Sequence, residues 1–429
     1  MSRHVVLVGG GYAGLTAARR LRRKLPRDAR LTVVNPHPYM TYQPLLPETA
    51  GGTVAPHHVV VPLRTAVPGA DLLVASMTGL DTRRRLVTTT AADGSVHEVH
   101  YDELVLATGS LTRTLPVPGL VEHAIGFRTV EEAVHLRHRV LSRLDLAATT
   151  TDPELRRRAL TFVFVGAGYA GVEAIAEVED MVRRVLRNSA IVAHEETRWV
   201  LVEGADRILG QLPERLASYV TGRLRDRGID VRTSTVLSSI EDGAVHLSDG
   251  TTLASDTVVW TAGVVASPML RRLGLEVDRL GRVVTDDTLR VTDGVWALGD
   301  CAAVPDTYSS GFCPPTAQHA VRQAVRLADN LARHLAGRRP RAYKHRDAGA
   351  VASLGLGQGV AELYGVPLRG YLAWLVHRVY HGSRLPCGRR RLMVVLEWLL
   401  GPSRSEQVPL ATLEHPRQPL LEAHREQAS

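Results

Sequence analysis

The sequence predicts an α/β protein, because one Gly-rich turn occurs twice in the same context. In Val5–Leu15 and again in Phe162–Asp180, a β-branched apolar run leads into three closely spaced glycines, and a helical pattern follows. In such a unit the first glycine permits a tight turn, the second lets the backbone approach a pyrophosphate, and the third lets helix pack on strand. Two copies predict two Rossmann-like dinucleotide-binding domains, built on Gly9, Gly11, Gly14, Gly166, Gly168 and Gly171.

The second strand of each unit ends in a polar side chain suited to a ribose. In such units an acid at this place accepts hydrogen bonds from the two ribose hydroxyls. Glu203 follows the strand Trp199–Val202 and favours NADH over NADPH, because a carboxylate repels a 2′-phosphate. Asn35 follows the strand Leu31–Val34 in the first unit, where its amide still accepts and donates hydrogen bonds. A surface acid that merely follows a strand is the alternative interpretation of Glu203.

Periodicity and Gly/Pro punctuation predict the remaining elements of the two units. Two strands, Tyr101–Ser110 and Thr257–Thr261, run into small residues and a glycine, Gly109 or Gly263, which would let a ligand approach the backbone. The other elements are a helix at Leu15–Leu25, a long functional loop at Pro36–Gly52, strands at Leu72–Val74 and Arg85–Thr89, helices at Gly126–Ala147, Val172–Arg187 and Leu216–Arg227, a strand at Asp230–Arg232, and a hairpin around Gly250.

The segment Val295–Cys301 is predicted to return the chain to the first unit as a strand that ends in Gly299 and Asp300. A carboxylate at such a strand end is placed to accept a hydrogen bond from a flavin ribityl hydroxyl. Pro315 then suits the first turn of a helix that continues to about Leu335. The neighbouring Cys301 is interpreted as a packing residue, since it has no cysteine close in sequence.

Composition bounds the class of protein. The chain has 429 residues, 45% apolar and 22% charged, which suits a soluble globular enzyme of two or three domains. Its net charge of +8 favours an anionic partner, but no nucleic-acid-binding signature is present, so nucleic acid is not expected. Three cysteines without C-x-x-C spacing indicate a reducing compartment, and no metal-ligand pattern is assigned. The first strand is predicted to begin at about residue 4, so a signal peptide is not expected.

The C-terminal part combines aromatic, apolar and basic residues. A β-rich piece at Tyr343–Tyr364 precedes two segments, Tyr371–Tyr380 and Leu392–Leu400, that are apolar on one face, with an arginine cluster between them. This pattern predicts an interfacial helix pair on an anionic membrane surface. A dimer interface or a core helix pair is the alternative. The polar segment Ser403–Ser429 is expected to be disordered.

Taken together, these motifs resemble the two-dinucleotide flavoproteins, and within them the type II (non-proton-pumping) NADH:quinone dehydrogenases. The narrower markers are the Gln43–Leu46 loop, the run Gly171–Glu173, the run Pro315–Gln318 and the amphipathic C-terminus. The resemblance implies FAD in the first domain, NADH in the second, and a quinone, menaquinone or ubiquinone, as electron acceptor. It also implies peripheral attachment to the cytoplasmic side of the cell membrane, and leaves a homodimer open.

The resemblance also implies domain boundaries and site residues. The FAD-binding domain would occupy 1–155 and 271–342, the NADH-binding domain 156–270, the membrane-associating region 343–402 and the tail 403–429. Glu173 and Gln318 would be catalytic, the former beside the nicotinamide–flavin complex and the latter where the flavin edge meets the quinone pocket. The FAD contacts would be Gly9, Gly11, Gly14, Asn35, Gly109, Asp300 and Ala317, and the NADH contacts Gly166, Gly168, Gly171 and Glu203.

The chain departs from the family pattern at two positions. Asn35 replaces the expected acid, and Arg322 stands where the first glutamine of a closing pair belongs, although Gln323 remains. Relatives that reduce disulfides or oxidise sulfide need cysteines beside the flavin, and the first cysteine here is Cys301. Two other functions stay open at this stage: a soluble NAD(P)H-dependent reductase of a protein carrier such as ferredoxin, and a redox-sensing protein that binds FAD and NADH without turnover.

Overall fold

The computed structural model describes residues 3–187, 191–308, 311–345 and 349–400. The chain forms two compact units. Unit 1 comprises Met1–Tyr42, Val60–Leu111 and Val264–Ala348, and unit 2 comprises Gln43–Val59, Thr112–Gly263 and Gly349–Ser429.

The α-helices of the described residues are α1 (Tyr12–Lys24), α2 (Leu46–Ala50), α3 (Leu63–Ala66), α4 (Leu120–His123), α5 (Val130–Thr149), α6 (Pro153–Ala159), α7 (Tyr169–Leu186), α8 (Glu214–Asp226), α9 (Ala317–Leu335), α10 (Gly370–Arg384) and α11 (Gly388–Leu400). The β-strands are β1 (His4–Val8), β2 (Arg30–Asn35), β3 (Tyr39–Thr41), β4 (Val60–Pro62), β5 (Asp71–Val74), β6 (Ser76–Asp81), β7 (Leu86–Thr90), β8 (Val96–His100), β9 (Glu103–Leu106), β10 (Ser110–Thr112), β11 (Ala124–Gly126), β12 (Thr161–Val165), β13 (Arg198–Val202), β14 (Ile229–Arg232), β15 (Leu237–Glu241), β16 (Ala244–Leu247), β17 (Thr252–Ala254), β18 (Thr257–Trp260), β19 (Val264–Ala266), β20 (Val283–Val284), β21 (Arg290–Thr292), β22 (Val295–Ala297), β23 (Ala302–Ala303), β24 (Gly349–Ser353), β25 (Gly359–Leu363) and β26 (Val366–Arg369).

Unit 1 is built on a six-stranded sheet with the order β21-β22-β9-β1-β2-β5. All neighbours in it are parallel except β21 and β22. The central strand β1 is apolar in sequence because both faces of such a sheet are covered, and Val5 and Leu7 have no exposed surface. In the return strand β22, Ala297 lies opposite Leu106 of β9, which confirms the predicted return to the first unit.

Unit 2 contains a five-stranded parallel sheet with the order β11-β18-β12-β13-β14. Val163 of the central strand β12 pairs with Val200 on one side and Val258 on the other, and all three belong to a core shared with the β15-β16-β17 hairpin sheet. Residues 112–155, assigned above to the first domain, lie in this unit, where β11 pairs with β18 and α5 packs on α2.

The C-terminal part of unit 2 is an antiparallel sheet, β24-β25-β26, followed by α10 and α11. α10 packs on this sheet, and β24 contacts α7. A β-rich piece and a helix pair are therefore present as predicted, although the sheet spans 349–369 rather than 343–364. Their use at a membrane surface stays a prediction. Among the described residues, no helix has both the length and the apolar character that a bilayer crossing requires. The tail predicted at 403–429 lies outside the described residues.

The prediction of a continuous loop over Pro36–Gly52 is wrong. This stretch contains β3, a 3-10 turn at Gln43–Leu45 and the five-residue helix α2. Every residue of α2 is buried, and the helix packs on α5 and α7. A Cβ atom at Gly51 would lie only 2.8 Å from the carbonyl oxygen of Glu177. Burial against these helices, which periodicity does not reveal, stabilises a helix too short to form alone.

Candidate active site

The first Gly-rich turn, in unit 1, has the steric requirements that its sequence predicts. Gly9 has φ +108°, and a Cβ atom there would lie 2.2 Å from the carbonyl oxygen of Ala107. A Cβ atom at Gly14 would lie 1.7 Å from the carbonyl oxygen of Gly9. Gly11 is different, since no described atom lies within 4 Å of its Cβ position and no described side chain caps the helix α1 that it begins. The turn is thus closed toward the protein and open where an anion would meet the helix N-terminus.

The second Gly-rich turn, in unit 2, has the same geometry. Gly166 has φ +101°, and its Cβ position lies 2.7 Å from the backbone nitrogen of Ala262, at the end of β18. A Cβ atom at Gly171 would lie 1.9 Å from the carbonyl oxygen of Gly166. At Gly168, the N-cap of α7, no described atom comes within 4 Å, and no described side chain caps the helix. The predicted repeat of the two units therefore extends to their backbone contacts.

A polar side chain closes each turn from the end of the second strand. In unit 1, Asn35 Oδ1 accepts a hydrogen bond from the N–H of Gly10 at 2.7 Å, and Asn35 Nδ2 donates to the carbonyl of His37 at 2.7 Å. In unit 2, Glu203 Oε2 accepts from the N–H of Ala167 at 2.6 Å. The two side chains occupy equivalent places, so Asn35 is the counterpart of the usual acid.

The return segment places Asp300 after β22, a strand that runs parallel to β9 in the sheet of unit 1. The hydroxyl of Ser110 donates to Asp300 Oδ2 at 2.8 Å. Gly299 has φ +74°, and its Cβ position lies 3.2 Å from the Cβ of Ala13 in α1 and 3.7 Å from that of Ala320 in α9. The first turns of both helices therefore flank the Asp300 loop, and Ser110, which follows the predicted contact Gly109, bonds to Asp300.

Two residues near this loop serve the structure. Gln323 is 2% exposed, and its Oε1 accepts a hydrogen bond from the N–H of Gly299 at 2.8 Å. This glutamine thus holds the turn that carries Asp300. Cys301 is fully buried, and burial raises the pKa of its thiol, which disfavours a thiolate. The burial of Cys301 and the raised pKa of its thiol agree with its interpretation as a packing residue.

Gln318 stands in the first turn of α9, which begins after the N-cap Thr316. Its Oε1 lies 2.8 Å from His345 Nε2, and the neighbouring His319 Nδ1 lies 3.0 Å from the hydroxyl of Tyr343. Sequence reasoning missed Tyr343 and His345. The sequence shows that these two residues are two positions apart. It does not show their contacts with α9, because those depend on tertiary packing.

Glu173 lies on α7 in unit 2, so it belongs to a different unit from Gln318. It is 8% exposed, its Oε1 accepts a hydrogen bond from the N–H of Ser353 at 2.8 Å, and His377 Nε2 lies 3.0 Å away. Burial raises the pKa of Glu173 to about 7 and lowers the pKa of His377 to about 3. Between about pH 3 and pH 7 the contact therefore joins two neutral groups, and the carboxyl can hold a proton near neutral pH.

Two further carboxyl groups lie close to Glu173. Glu177 Oε1 accepts a hydrogen bond from the hydroxyl of Ser353 at 2.8 Å. Glu48 of α2 is 1% exposed, and burial, together with the charges of Glu177 and Glu173, raises its pKa well above the ordinary value. The buried guanidinium of Arg378 acts in the opposite direction on both carboxyl groups. Spacing along α7 did not predict this cluster, because three other elements contribute to it.

The geometry of both units fits dinucleotides. Each Gly-rich turn leaves no room for a Cβ atom on the protein side and leaves the helix N-terminus open for a pyrophosphate. Each strand end carries a side chain that can meet a ribose, and unit 1 adds Asp300 for a further hydroxyl. These residues would hold FAD in unit 1 and NADH in unit 2. The individual contacts remain predictions.

Comparison with known proteins agrees with this geometry. The type II NADH:quinone oxidoreductase Ndh of Mycobacterium tuberculosis is 28% identical over 411 residues, with 92% of this chain and 87% of the relative covered. That of Staphylococcus epidermidis is 28% identical over 383 residues, covering 87% and 93%. The fold matches that of NDH2 from Plasmodium falciparum, solved in complex with NADH, with a TM-score of 0.88 at 16% identity and coverage of 95% and 99%.

A family model described as pyridine nucleotide-disulphide oxidoreductase matches residues 3–324, which hold both Gly-rich turns and the return segment. The predicted fold and the resemblance to two-dinucleotide flavoproteins are thereby confirmed. The chain belongs to the pyridine nucleotide-disulphide oxidoreductase family.

Proposed function

We propose that this protein is a non-proton-pumping NADH:quinone oxidoreductase that binds FAD and works at a membrane surface. The observation that carries the proposal is the pair of Gly-rich turns, each open at a helix N-terminus and each closed by a strand-end side chain, Asn35 or Glu203. The names of the relatives, which align along most of their length, support quinone as the electron acceptor.

The residues of the chain bind and orient the two dinucleotides. The N–H groups at the start of α1 and α7 would hold the pyrophosphates, and Asn35 and Glu203, at the ends of the second strands, would bind the riboses. Bound FAD would supply the redox chemistry that links oxidation of NADH to reduction of a quinone. Asp300, held by Ser110, would orient a hydroxyl of the cofactor.

Glu173 and Gln318 are the proposed catalytic residues. Glu173 can hold a proton on its carboxyl, because burial raises its pKa to about 7. Gln318 presents an amide at the first turn of α9, where its N–H₂ group is suited to a quinone carbonyl. Arg322 donates to the backbone carbonyl of Gln318 at 3.5 Å, a contact that does not engage the amide of Gln318.

The helices α10 and α11 supply the proposed membrane-binding face, on the cytoplasmic side. They expose large apolar side chains, among them Tyr371, Leu372, Leu375, Val379, Leu392, Leu396 and Leu399. Exposed arginines, Arg384, Arg389 and Arg391, accompany them. This combination suits an anionic lipid surface better than water. A homodimer formed through the same face is the competing use of these residues.

The test is steady-state NADH oxidation by the purified holoprotein with a short-chain quinone, with ferredoxin, or without an acceptor. The proposal predicts rapid turnover with the quinone and little without it. Turnover with ferredoxin alone would replace the proposal by the soluble reductase function. Binding of NADH without turnover on any acceptor would favour a redox sensor.

A further inference from the structure

An arginine lies beside the second Gly-rich turn, at the carboxyl edge of the parallel sheet in unit 2. Arg113 follows β10, and its backbone N–H donates to the carbonyl of Gly263 at 3.1 Å. The indole Nε1 of Trp260 donates to the backbone carbonyl of Arg113 at 2.7 Å. Both bonds use backbone atoms of Arg113, so the chain is held at this place whatever its guanidinium group does.

The side chain of Arg113 lies against an open glycine. Gly263 has φ +90°, and the Cδ of Arg113 lies 3.9 Å from the Cβ position of Gly263. No other described atom outside the neighbouring residues comes within 4 Å of that position. Arg113 is exposed, and none of the described carboxylates forms an ion pair with its guanidinium group. A positive charge without an acidic partner therefore lies where a ligand can approach the backbone.

The order of the strands relates this arginine to the Gly-rich turn. β12, which leads into the turn, pairs with β13 on one side and with β18 on the other. Dinucleotides bind at the carboxyl ends of such strands, where the strand order changes direction. A Cβ atom at Gly166 would lie 2.7 Å from the backbone nitrogen of Ala262, so the turn contacts the chain just after β18. Gly263 is the next residue and lies on the β18 side of the turn.

The two sides of the turn suit different halves of a dinucleotide. Glu203 ends β13 and is the proposed ligand for the ribose of the adenosine half. With the pyrophosphate at the start of α7, the nicotinamide half would extend toward β18, the side on which Arg113 lies. A guanidinium group is always charged and bonds to phosphate oxygens through paired N–H groups.

We propose that Arg113 binds the phosphate on the nicotinamide side of NADH. The inference rests on the proposed function and adds to it a charged side chain for the pyrophosphate, to which the Gly-rich turn offers only backbone N–H groups. Arg113 thereby favours a dinucleotide, which extends to the β18 side, over a mononucleotide, which ends at the adenosine phosphate.

The experiment is calorimetric titration of the FAD-loaded protein with ADP-ribose, which has both phosphates, and with AMP, which has only the adenosine phosphate. We expect Arg113→Gln to raise the Kd for ADP-ribose about tenfold, the low end of the range for a hydrogen bond between charged groups, and to leave the Kd for AMP unchanged. Arg113→Lys should recover most of the affinity, because it restores the charge. Arg198→Gln is the matched control, since Arg198 is an exposed arginine at the start of β13 and thus at the opposite edge of the sheet.

Two further measurements separate a charge contact from a structural effect. Salt should weaken the binding of ADP-ribose more in the wild type than in Arg113→Gln, because salt screens the charge that the variant lacks. The KM for NADH should rise about tenfold in Arg113→Gln, whereas the KM for a short-chain quinone should stay unchanged.

An unchanged Kd for ADP-ribose in Arg113→Gln, or an equal loss of affinity for AMP and ADP-ribose, would overturn the inference. Wild-type protein that binds ADP-ribose through Arg113 but reduces no quinone would instead overturn the proposed function and leave the phosphate contact in place.

Discussion

The backbone N–H of Ala167 donates a hydrogen bond of 2.6 Å to the carboxylate of Glu203, so the end of one strand closes the Gly-rich turn of its neighbour. Asn35 has the same relation to Gly10 at 2.7 Å in the other unit. The repeat therefore preserves a contact even where the residue type differs. A carboxylate in this place can accept hydrogen bonds from both hydroxyls of a ribose. An amide can also bond to these hydroxyls, but it carries no negative charge.

Glu203→Arg should move the coenzyme preference from NADH toward NADPH. The substitution removes the charge that repels a 2′-phosphate and adds one that attracts it. We expect the ratio of kcat/KM for NADH to that for NADPH to fall by about tenfold or more, which corresponds to about 1.4 kcal/mol. Steady-state kinetics with both coenzymes measure it. Glu241→Arg, an exposed acid in the same unit, is the control, and an unchanged ratio in Glu203→Arg would show that the ribose contact is misplaced.

Asn35→Asp should weaken the retention of FAD, although it restores the residue type that such units usually carry. The amide donates to the carbonyl of His37, and a carboxylate would set two acceptors against each other at a site that is 9% exposed. A lost buried hydrogen bond of this kind costs about 1–3 kcal/mol. Flavin absorbance per protein after dialysis measures the effect. Equal or greater retention in Asn35→Asp would mean that the ribose contact outweighs the bond to His37.

Glu173→Gln should remove a pH dependence of stability. The pKa of Glu173 is raised from 4.5 to about 7, so the folded state holds the proton more tightly than the unfolded chain. Stability in the wild type is therefore complete below pH 4.5 and falls as the pH rises to about 7, by an amount on the order of 3 kcal/mol. Ser353, His377 and His381 face this carboxyl, and the buried acids Glu48 and Glu177 lie close to it.

Urea denaturation of the holoprotein between pH 5 and 8, followed by a probe in unit 2, measures this difference. Gln at 173 keeps an acceptor for the N–H of Ser353 and cannot ionise, so the variant should gain stability over the wild type as the pH rises. Glu241→Gln serves as the exposed control. If the free energy of unfolding changed with pH in the same way in the wild type and in Glu173→Gln, Glu173 would not be a carboxyl with a raised pKa.

Leu392→Glu combined with Leu399→Glu should reduce binding to vesicles that contain anionic lipid. The two leucines of α11 are 59% and 73% exposed, and each would contribute roughly 1.5–3 kcal/mol on entering an apolar phase. We expect sedimentation with vesicles to fall at least tenfold. Val121→Glu, at a side chain that is 74% exposed on α4, should leave binding unchanged. Unchanged sedimentation of the double variant, with loss of a dimer in solution, would assign the face to self-association.

Local patterns predicted the turns, the strand-end residues and the return segment, because the chemistry of these features lies within a few adjacent residues. Asn35 and Glu203 were placed by counting along a strand–turn–helix unit, and the structure puts both on their turns. The helix α2 was not predicted, because it is too short to show a helical periodicity. Burial against α5 and α7 stabilises it instead.

Contacts between distant parts of the chain were beyond sequence reasoning. Ser353 donates to Glu173 across 180 positions, and His345 meets Gln318 across 27. A helix-terminal acid and an ordinary histidine carry no local signal of such partners. The consequence for Glu173, a raised pKa of its carboxyl, follows only from packing.

The most direct test of the central claim is the visible absorption spectrum of the purified protein under anaerobic conditions, first with one equivalent of NADH and then with one equivalent of a short-chain quinone. The account predicts an oxidised flavin spectrum that NADH bleaches and the quinone restores. A protein that binds no flavin, or a flavin that NADH bleaches but the quinone leaves reduced, would contradict it.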